Sequence, residues 1–263
     1  MLGKLLSGGE FGQWASFVSP AFFQVMPARA LWQRFKELAR GTRDRDLYAR
    51  VVRERQELLA RSPLAVTLEG NEAHPARARH DEPSSASEGL LSVETRAARV
   101  VALYFHQILH GDTTLLDLRQ QAFSDRHPFV WRPAAWIARW DPSFIAALRQ
   151  LYAGFYRDDE PAFQAGLRAL NLTHAEDVFR QHFGGGQRAV RFEVKHFVTT
   201  FHQVFLRCRD AGTSLHPDFL LLGLCLAALY EHLESLGVSV DVAAAFERAS
   251  MLEPLPRVAN AHG

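Results

Sequence analysis

Residues 219–230 read Phe219-Leu220-Leu221-Leu222-Gly223-Leu224-Cys225-Leu226-Ala227-Ala228-Leu229-Tyr230, twelve positions without a charged or amide side chain. The run is longer than the about 4–8 residues of a buried strand, and a helix that is apolar all round must be packed on several sides. It predicts a central core helix, opened at Pro217 and closed by Gly237, around which the rest of the fold is arranged.

Working outward, the neighbouring segments read as helices. One runs from about Val190 to Asp210, with Phe197, Phe201, Val204, Phe205 and Cys208 on its inner face, and closes at Gly212. On the other side of the core helix, Asp241 caps a last helix through Phe246. Upstream, Thr173-x-x-Glu176 has the form of a capping box whose helix stops at Gly184-Gly185-Gly186. That glycine run lacks the Lys-Ser/Thr of a phosphate loop and follows a helix, so it reads as a helix stop.

Asp141-Pro142 opens a helix that ends at the acidic Asp158-Asp159-Glu160, and Pro161 starts the next. Ser92 caps the clearest amphipathic segment, in which Val93, Ala97, Val100, Val101, Tyr104, Phe105, Ile108 and Leu109 keep helical spacing. Asp112 is expected to start a short helix reaching Phe123, and Ala134 to Trp140 a turn or two more. No sustained period-two alternation occurs, so a sheet is not expected. The fold class read from this pattern is all-α, a multi-helix orthogonal or bundle-like domain of about seven or eight helices with a short helical N-terminal head.

That head is rich in aromatics, with Phe11, Trp14, Phe17, Phe22 and Phe23 before Pro27. A helical stretch follows from Ala28 to about Arg61, broken at Gly41-Thr42 with Thr42 as the expected cap of its second half. Residues 70–89 contain no Val, Ile, Leu, Met or aromatic side chain, and a segment with nothing apolar to bury cannot offset its ordering entropy. The expected organisation is a basic, aromatic-rich head over 1–63, a flexible linker over 64–91, a helical body over 92–252 and a frayed tail over 253–263. The net charge of +1 conceals a division, because residues 1–63 hold 11 Lys or Arg against 6 Asp or Glu and the remainder holds 19 against 23.

Composition excludes several classes. With 48% hydrophobic and 22% charged residues the chain can bury a sizeable core, so it is neither mostly disordered nor collagen-like. Its two cysteines, Cys208 and Cys225, cannot build a disulfide framework or a zinc knuckle, and both sit on apolar faces where a thiol is a small core residue. No uninterrupted apolar run reaches the ~18 residues of a transmembrane helix, and the first residues lack a secretory pattern, so no transmembrane segment is expected and the cytoplasm is the expected compartment. Only Lys4, Lys36 and Lys195 among the 30 basic residues are lysine, which suggests the codon bias of a GC-rich bacterial genome.

Histidines are the one unusual chemical resource, twelve in all. His106 and His110 are spaced i, i+4 and project from one side of their helix, as metal-binding pairs do. On a helical wheel they lie about 160° from the centre of the apolar stripe, which places them toward solvent, another helix or a cleft. Glu193 and His196 have the i, i+3 spacing of di-iron bundles, but the motif occurs once and cannot complete a bridged site, so a flanking ion pair or capping contact is the simpler expectation. In the head, Arg29, Arg34, Lys36, Arg40, Arg43, Arg45, Arg50, Arg53 and Arg55 could meet an anionic surface. Glu37, Asp44, Asp46, Glu54 and Glu57 are interleaved with them, which favours i, i+4 pairs over nucleic-acid binding.

The stretch ARWDPSFIAALRQLYAGFYRDDEPAFQAGLRALNL over 138–172 and TSLHPDFLLLGLCLAALYEHLE over 213–234 resemble the helical region after the active site of UbiB-type atypical kinases. The resemblance implies a helix opened by Asp-Pro and ending in an acidic pair, then a Leu-x-Pro turn into a long apolar helix. His110-Gly111-Asp112 stands at about the distance of that family's His-x-Asp, but the asparagine and Asp-Phe-Gly that would hold magnesium are missing. The implied relative is therefore a degenerate one without kinase chemistry, and no catalytic residue carries over.

The functional expectation is a non-catalytic cytoplasmic interaction or adaptor protein with a protein partner, whose body stays folded but whose partner capture is lost when residues 1–89 are deleted. The alternative is a metal- or haem-binding helical protein using His106, His110, Glu193 and His196.

Overall fold

The computed structural model describes residues 20–70 and 89–252; the aromatic start, the centre of the expected linker and the tail from residue 253 lie outside the described residues. Ten α-helices carry the described fold. They are α1 Pro20–Val25, α2 Ala28–Gly41, α3 Arg45–Ala60, α4 Val93–Leu109, α5 Pro142–Tyr156, α6 Glu160–Ala169, α7 Glu176–His182, α8 Val194–Asp210, α9 Phe219–Leu236 and α10 Val242–Ser250.

The mostly helical reading holds, but sheets are present, contrary to expectation. β1 Val66–Leu68 pairs in parallel with β3 Phe129–Trp131, β2 Thr113–Leu115 pairs antiparallel with β4 Ile137–Arg139, and β5 Ala189–Arg191 pairs antiparallel with β6 Ser239–Asp241. The helices expected at 112–123 and 134–140 are thus largely the strands β2 and β4, with only a 3-10 turn at Gln120–Ala122. Each strand is three residues long, too short to set up the alternation by which strands are recognised.

α9 is the core helix, with thirteen of its residues buried on all sides. By length and composition alone it could cross a bilayer, and 72% of it is buried inside the protein. Gly237 ends it at φ 67°, a left-handed conformation that glycine adopts without a Cβ penalty. α4 lies against it and is buried over the whole span Val100–Ile108, so the polar face expected on its wheel is covered as well. Ser92 caps α4 by accepting from the Thr95 N–H at 3.2 Å, and Asp141 caps α5 by accepting from Ser143 and Phe144. Thr173 does not form the expected capping box: Thr173–Ala175 is a 3-10 turn, and α7 begins without a side-chain cap.

The head does not stand apart from the body. Phe22, Leu31, Val51, Leu64 and Leu68 belong to the same buried core as α4 and α9. Phe22 meets Phe205 of α8 with ring centroids 5.2 Å apart, the Tyr48 hydroxyl donates to the Pro133 carbonyl at 2.7 Å, and Gln56 donates to the Leu68 carbonyl at 2.9 Å. The expected linker boundary at 64 is also too early, because Leu64, Val66 and Leu68 are buried and β1 is part of a sheet. Asp44 rather than Thr42 caps α3, accepting from the Leu47 N–H at 2.9 Å.

Candidate functional site

His106 and His110 come together with residues that the sequence spacing did not point to. Their rings are 4.9 Å apart near the C-terminal end of α4, but they do not face solvent as expected: His106 is fully buried and His110 half-buried. α3 carries Arg55 into the same place, also fully buried, where its Nη2 donates to the Thr113 carbonyl. Gly111 makes room for it, since a Cβ there would overlap the guanidinium. Arg149 of α5 closes the end of α4 by donating to the carbonyls of Ile108 and Gly111, both at 2.8 Å.

The electrostatics keep both imidazoles neutral. Burial first, then the His110 ring and the Arg55 charge, push His106 down to about 3, with only the Leu58 backbone opposing. His110 is lowered chiefly by burial, and its Nε2–H donates to the Ala249 carbonyl at 2.7 Å. Burial lowers Arg55 to about 10. Among the described residues, Arg55 Nε and Nη1, both ring nitrogens of His106, Gln107 Nε2 and Thr113 Oγ1 are buried without a hydrogen-bond partner.

This arrangement does not favour a metal. A cation between the rings would face the Arg55 guanidinium, and the nearby carboxylate of Asp112 is exposed and tied to Arg149 at 3.3 Å. Glu193 and His196 are elsewhere, at the start of α8. Glu193 is exposed and, among the described residues, bonds only through its carbonyl, while His196 lies near His182 and its carbonyl accepts from Thr200 at 3.0 Å. Glu193 occupies the N-cap position of α8, but neither the expected ion pair nor a capping contact from its side chain is formed among the described residues; instead Glu234 of α9 accepts from the Val194 N–H at 3.0 Å. No group of three His, Cys, Asp or Glu side chains among the described residues is placed to hold a metal ion.

Two further constellations were missed in the sequence. Cys208 Sγ stands 3.3 Å from His174 Nε2, the separation of a nucleophile from its base. Burial nevertheless raises the thiol and lowers His174, so the pair rests as neutral thiol and neutral imidazole, the inactive state. Four of the chain's five tyrosines surround one small cavity of about 30 Å³: Tyr104, Tyr152, Tyr156 and Tyr230. The Tyr104 and Tyr152 hydroxyls are 2.5 Å apart, and the volume suffices for a water with several polar partners. These tyrosines lie on α4, α5 and α9, and only the tertiary packing joins them.

Of the head's acids, only Glu37 forms an ion pair within the head among the described residues, at 2.7 Å from Arg34. Arg43, Arg45, Arg50 and Arg53 are exposed around the α2–α3 corner and along α3, with no ion pair or side-chain hydrogen bond among the described residues. The expected series of i, i+4 pairs along α3 is therefore absent there.

In comparisons with known proteins, no family model and no curated protein matches this chain.

Proposed function

We propose that this chain is a non-catalytic interaction or adaptor protein of the bacterial cytoplasm, built as an orthogonal or bundle-like helical body with a short helical N-terminal head. Its partner is a protein with an acidic face, met by the arginines at the α2–α3 corner. The observation that carries this reading is the set of four exposed guanidiniums, Arg43, Arg45, Arg50 and Arg53, which form no ion pair or side-chain hydrogen bond among the described residues although Asp44, Asp46, Glu54 and Glu57 are exposed beside them. Exposed arginines of one sign steer and orient an acidic partner, and guanidinium forks suit carboxylates. The neutral state of Cys208, Cys225, His106 and His182, the first three fully buried and the last half-buried, is in keeping with the non-catalytic half of the reading.

On the resemblance to UbiB-type kinases, the same chain is a degenerate relative that keeps a helical region and has lost the chemistry. His110 bonds Ala249 and Asp112 bonds Arg149, which accords with structural roles for the His-Gly-Asp segment.

The test uses the full chain and a variant carrying Arg43→Glu, Arg50→Glu and Arg53→Glu. All three positions are exposed, so the fold is retained. Affinity purification from the native cell should recover one stoichiometric protein with the parent and lose it with the variant, and the purified pair should dissociate as salt is raised. Equal recovery by both chains would refute the reading. So would binding to anionic vesicles in place of a protein.

A further inference from the structure

A cleft of about 420 Å³ opens where the C-terminal half of α2, the turn into α3, β4 and α9 meet. Its size is that of a small-molecule site, about 300–1,000 Å³. The apolar part of the lining comes from Leu38, Leu47, Ile137 and Leu221, one residue from each of four elements. Those side chains belong to the main core and show only their edges to the cleft, so the lining is a fixed surface.

The charged part of the lining is unequal. Arg34 is held on both sides, 2.7 Å from Glu37 and 2.6 Å from Asp218. Asp44 is occupied as the cap of α3. Both acids of the lining are therefore engaged. Arg40 and Arg139 are exposed, and among the described residues their side chains have neither an ion pair nor a hydrogen bond. Two unoccupied guanidiniums over an apolar surface are complementary to a molecule with an anionic end and an apolar body. The planar fork of each arginine matches carboxylate, sulfonate or phosphate oxygens.

We infer that this cleft is a binding site for an organic anion with an apolar body, held at its charged end by Arg40 and Arg139 and along its body by Leu38, Leu47, Ile137 and Leu221. The site needs no macromolecular partner and uses none of the arginines substituted in the test above, so either reading can fail alone.

The probe is 8-anilinonaphthalene-1-sulfonate, an apolar body with one sulfonate, and its control is the neutral N-phenyl-1-naphthylamine. The full chain should enhance sulfonate fluorescence through one saturable site, and should bind the neutral dye at least ten-fold more weakly. An Arg40→Gln, Arg139→Gln variant, altered only at exposed positions and checked for an unchanged circular dichroism spectrum, should lose at least ten-fold in sulfonate affinity. Absence of saturable binding by the parent chain would overturn the inference. Unchanged affinity in the double variant, or equal affinity for the two dyes, would overturn it as well.

Discussion

Arg34 of α2 holds the carboxylate of Asp218, the residue before α9, with Nε 2.6 Å from Oδ1, and Asp218 is fully buried. The other oxygen, Oδ2, accepts the Asp141 backbone N–H at 2.6 Å. One side chain thus ties the head, the core helix and the start of α5 together. Removing the cation leaves a buried carboxylate unpaired, which costs about 3–5 kcal/mol for an enclosed pair and less here, because Arg34 keeps one-fifth of its side-chain surface in water. Urea unfolding should therefore find Arg34→Met destabilised by roughly 2–4 kcal/mol. Asp218→Asn keeps an acceptor for Asp141, so it should lose less, and Arg34→Met should cost little more once Asp218→Asn is present. Additive losses would show that the two residues are not coupled.

The buried histidines make stability pH-dependent. Burial lowers His232 to about 4 and His106 to about 3 in the folded chain, against about 6.5 when unfolded. Between these values the unfolded chain binds protons that the folded chain refuses, so stability falls as pH drops below about 6.5 and these groups add no slope above about 7. His232 donates from Nδ1 to the Leu118 carbonyl at 2.9 Å, a bond the amide of asparagine can replace. His232→Asn should reduce the slope of unfolding free energy between pH 5 and 6 by about 1 kcal/mol per pH unit. Comparing slopes cancels the other groups, including Asp218, whose burial-raised titration has the opposite sign. An unchanged slope would mean that His232 protonates in the folded chain.

Legibility in the sequence follows the range of the interactions. The run Phe219–Tyr230 fixes α9 because each of its residues demands burial whatever its neighbours do. Asp141 and Ser92 are readable as caps because the hydrogen bonds they make are two or three residues away. β2 and β4 are not readable, since Leu115, Ile137 and Ala138 are apolar on consecutive buried positions and only their pairing makes them strands. Spacing identifies His106 and His110 as a pair, but a wheel contains only its own helix. It cannot show α3 bringing Arg55 over the polar side and burying it. Arg40 and Arg139 are ordinary surface arginines in sequence, and only the meeting of α2 with β4 places them on one cleft.

The shared core revises what truncation should do. A chain of residues 89–252 lacks β1, which pairs with β3, and lacks Leu31, Val51, Leu64 and Leu68, all buried in the full chain. Losing these four side chains, each worth about 1.5–3 kcal/mol on burial, removes about 6–12 kcal/mol, comparable to the whole 5–15 kcal/mol stability of a typical domain, and exposes their neighbours as well. The truncated chain should show no cooperative thermal transition and weak near-ultraviolet circular dichroism. A sharp transition close to that of the full chain would show that the body folds independently of the head.

Two glycines set how closely α5 and α6 approach. A methyl group on Gly154 would stand 2.6 Å from Phe163 Cα, and one on Gly166 would stand 2.7 Å from the Leu151 backbone nitrogen. Backbone atoms cannot swing aside as a side-chain tip can, so either substitution must push the helices apart. Gly154→Ala and Gly166→Ala should each cost roughly 1–3 kcal/mol despite the better helix propensity of alanine. Gly223 of α9 is the control, because a methyl there would meet only Phe201 Cε1 at an ordinary 3.5 Å. Gly223→Ala should stabilise the chain by about 0.5–1 kcal/mol, the helix-interior difference between the two residues. Denaturant midpoints measured on all three variants should move down, down and up; a gain at Gly154 would mean that α6 does not approach α5 this closely.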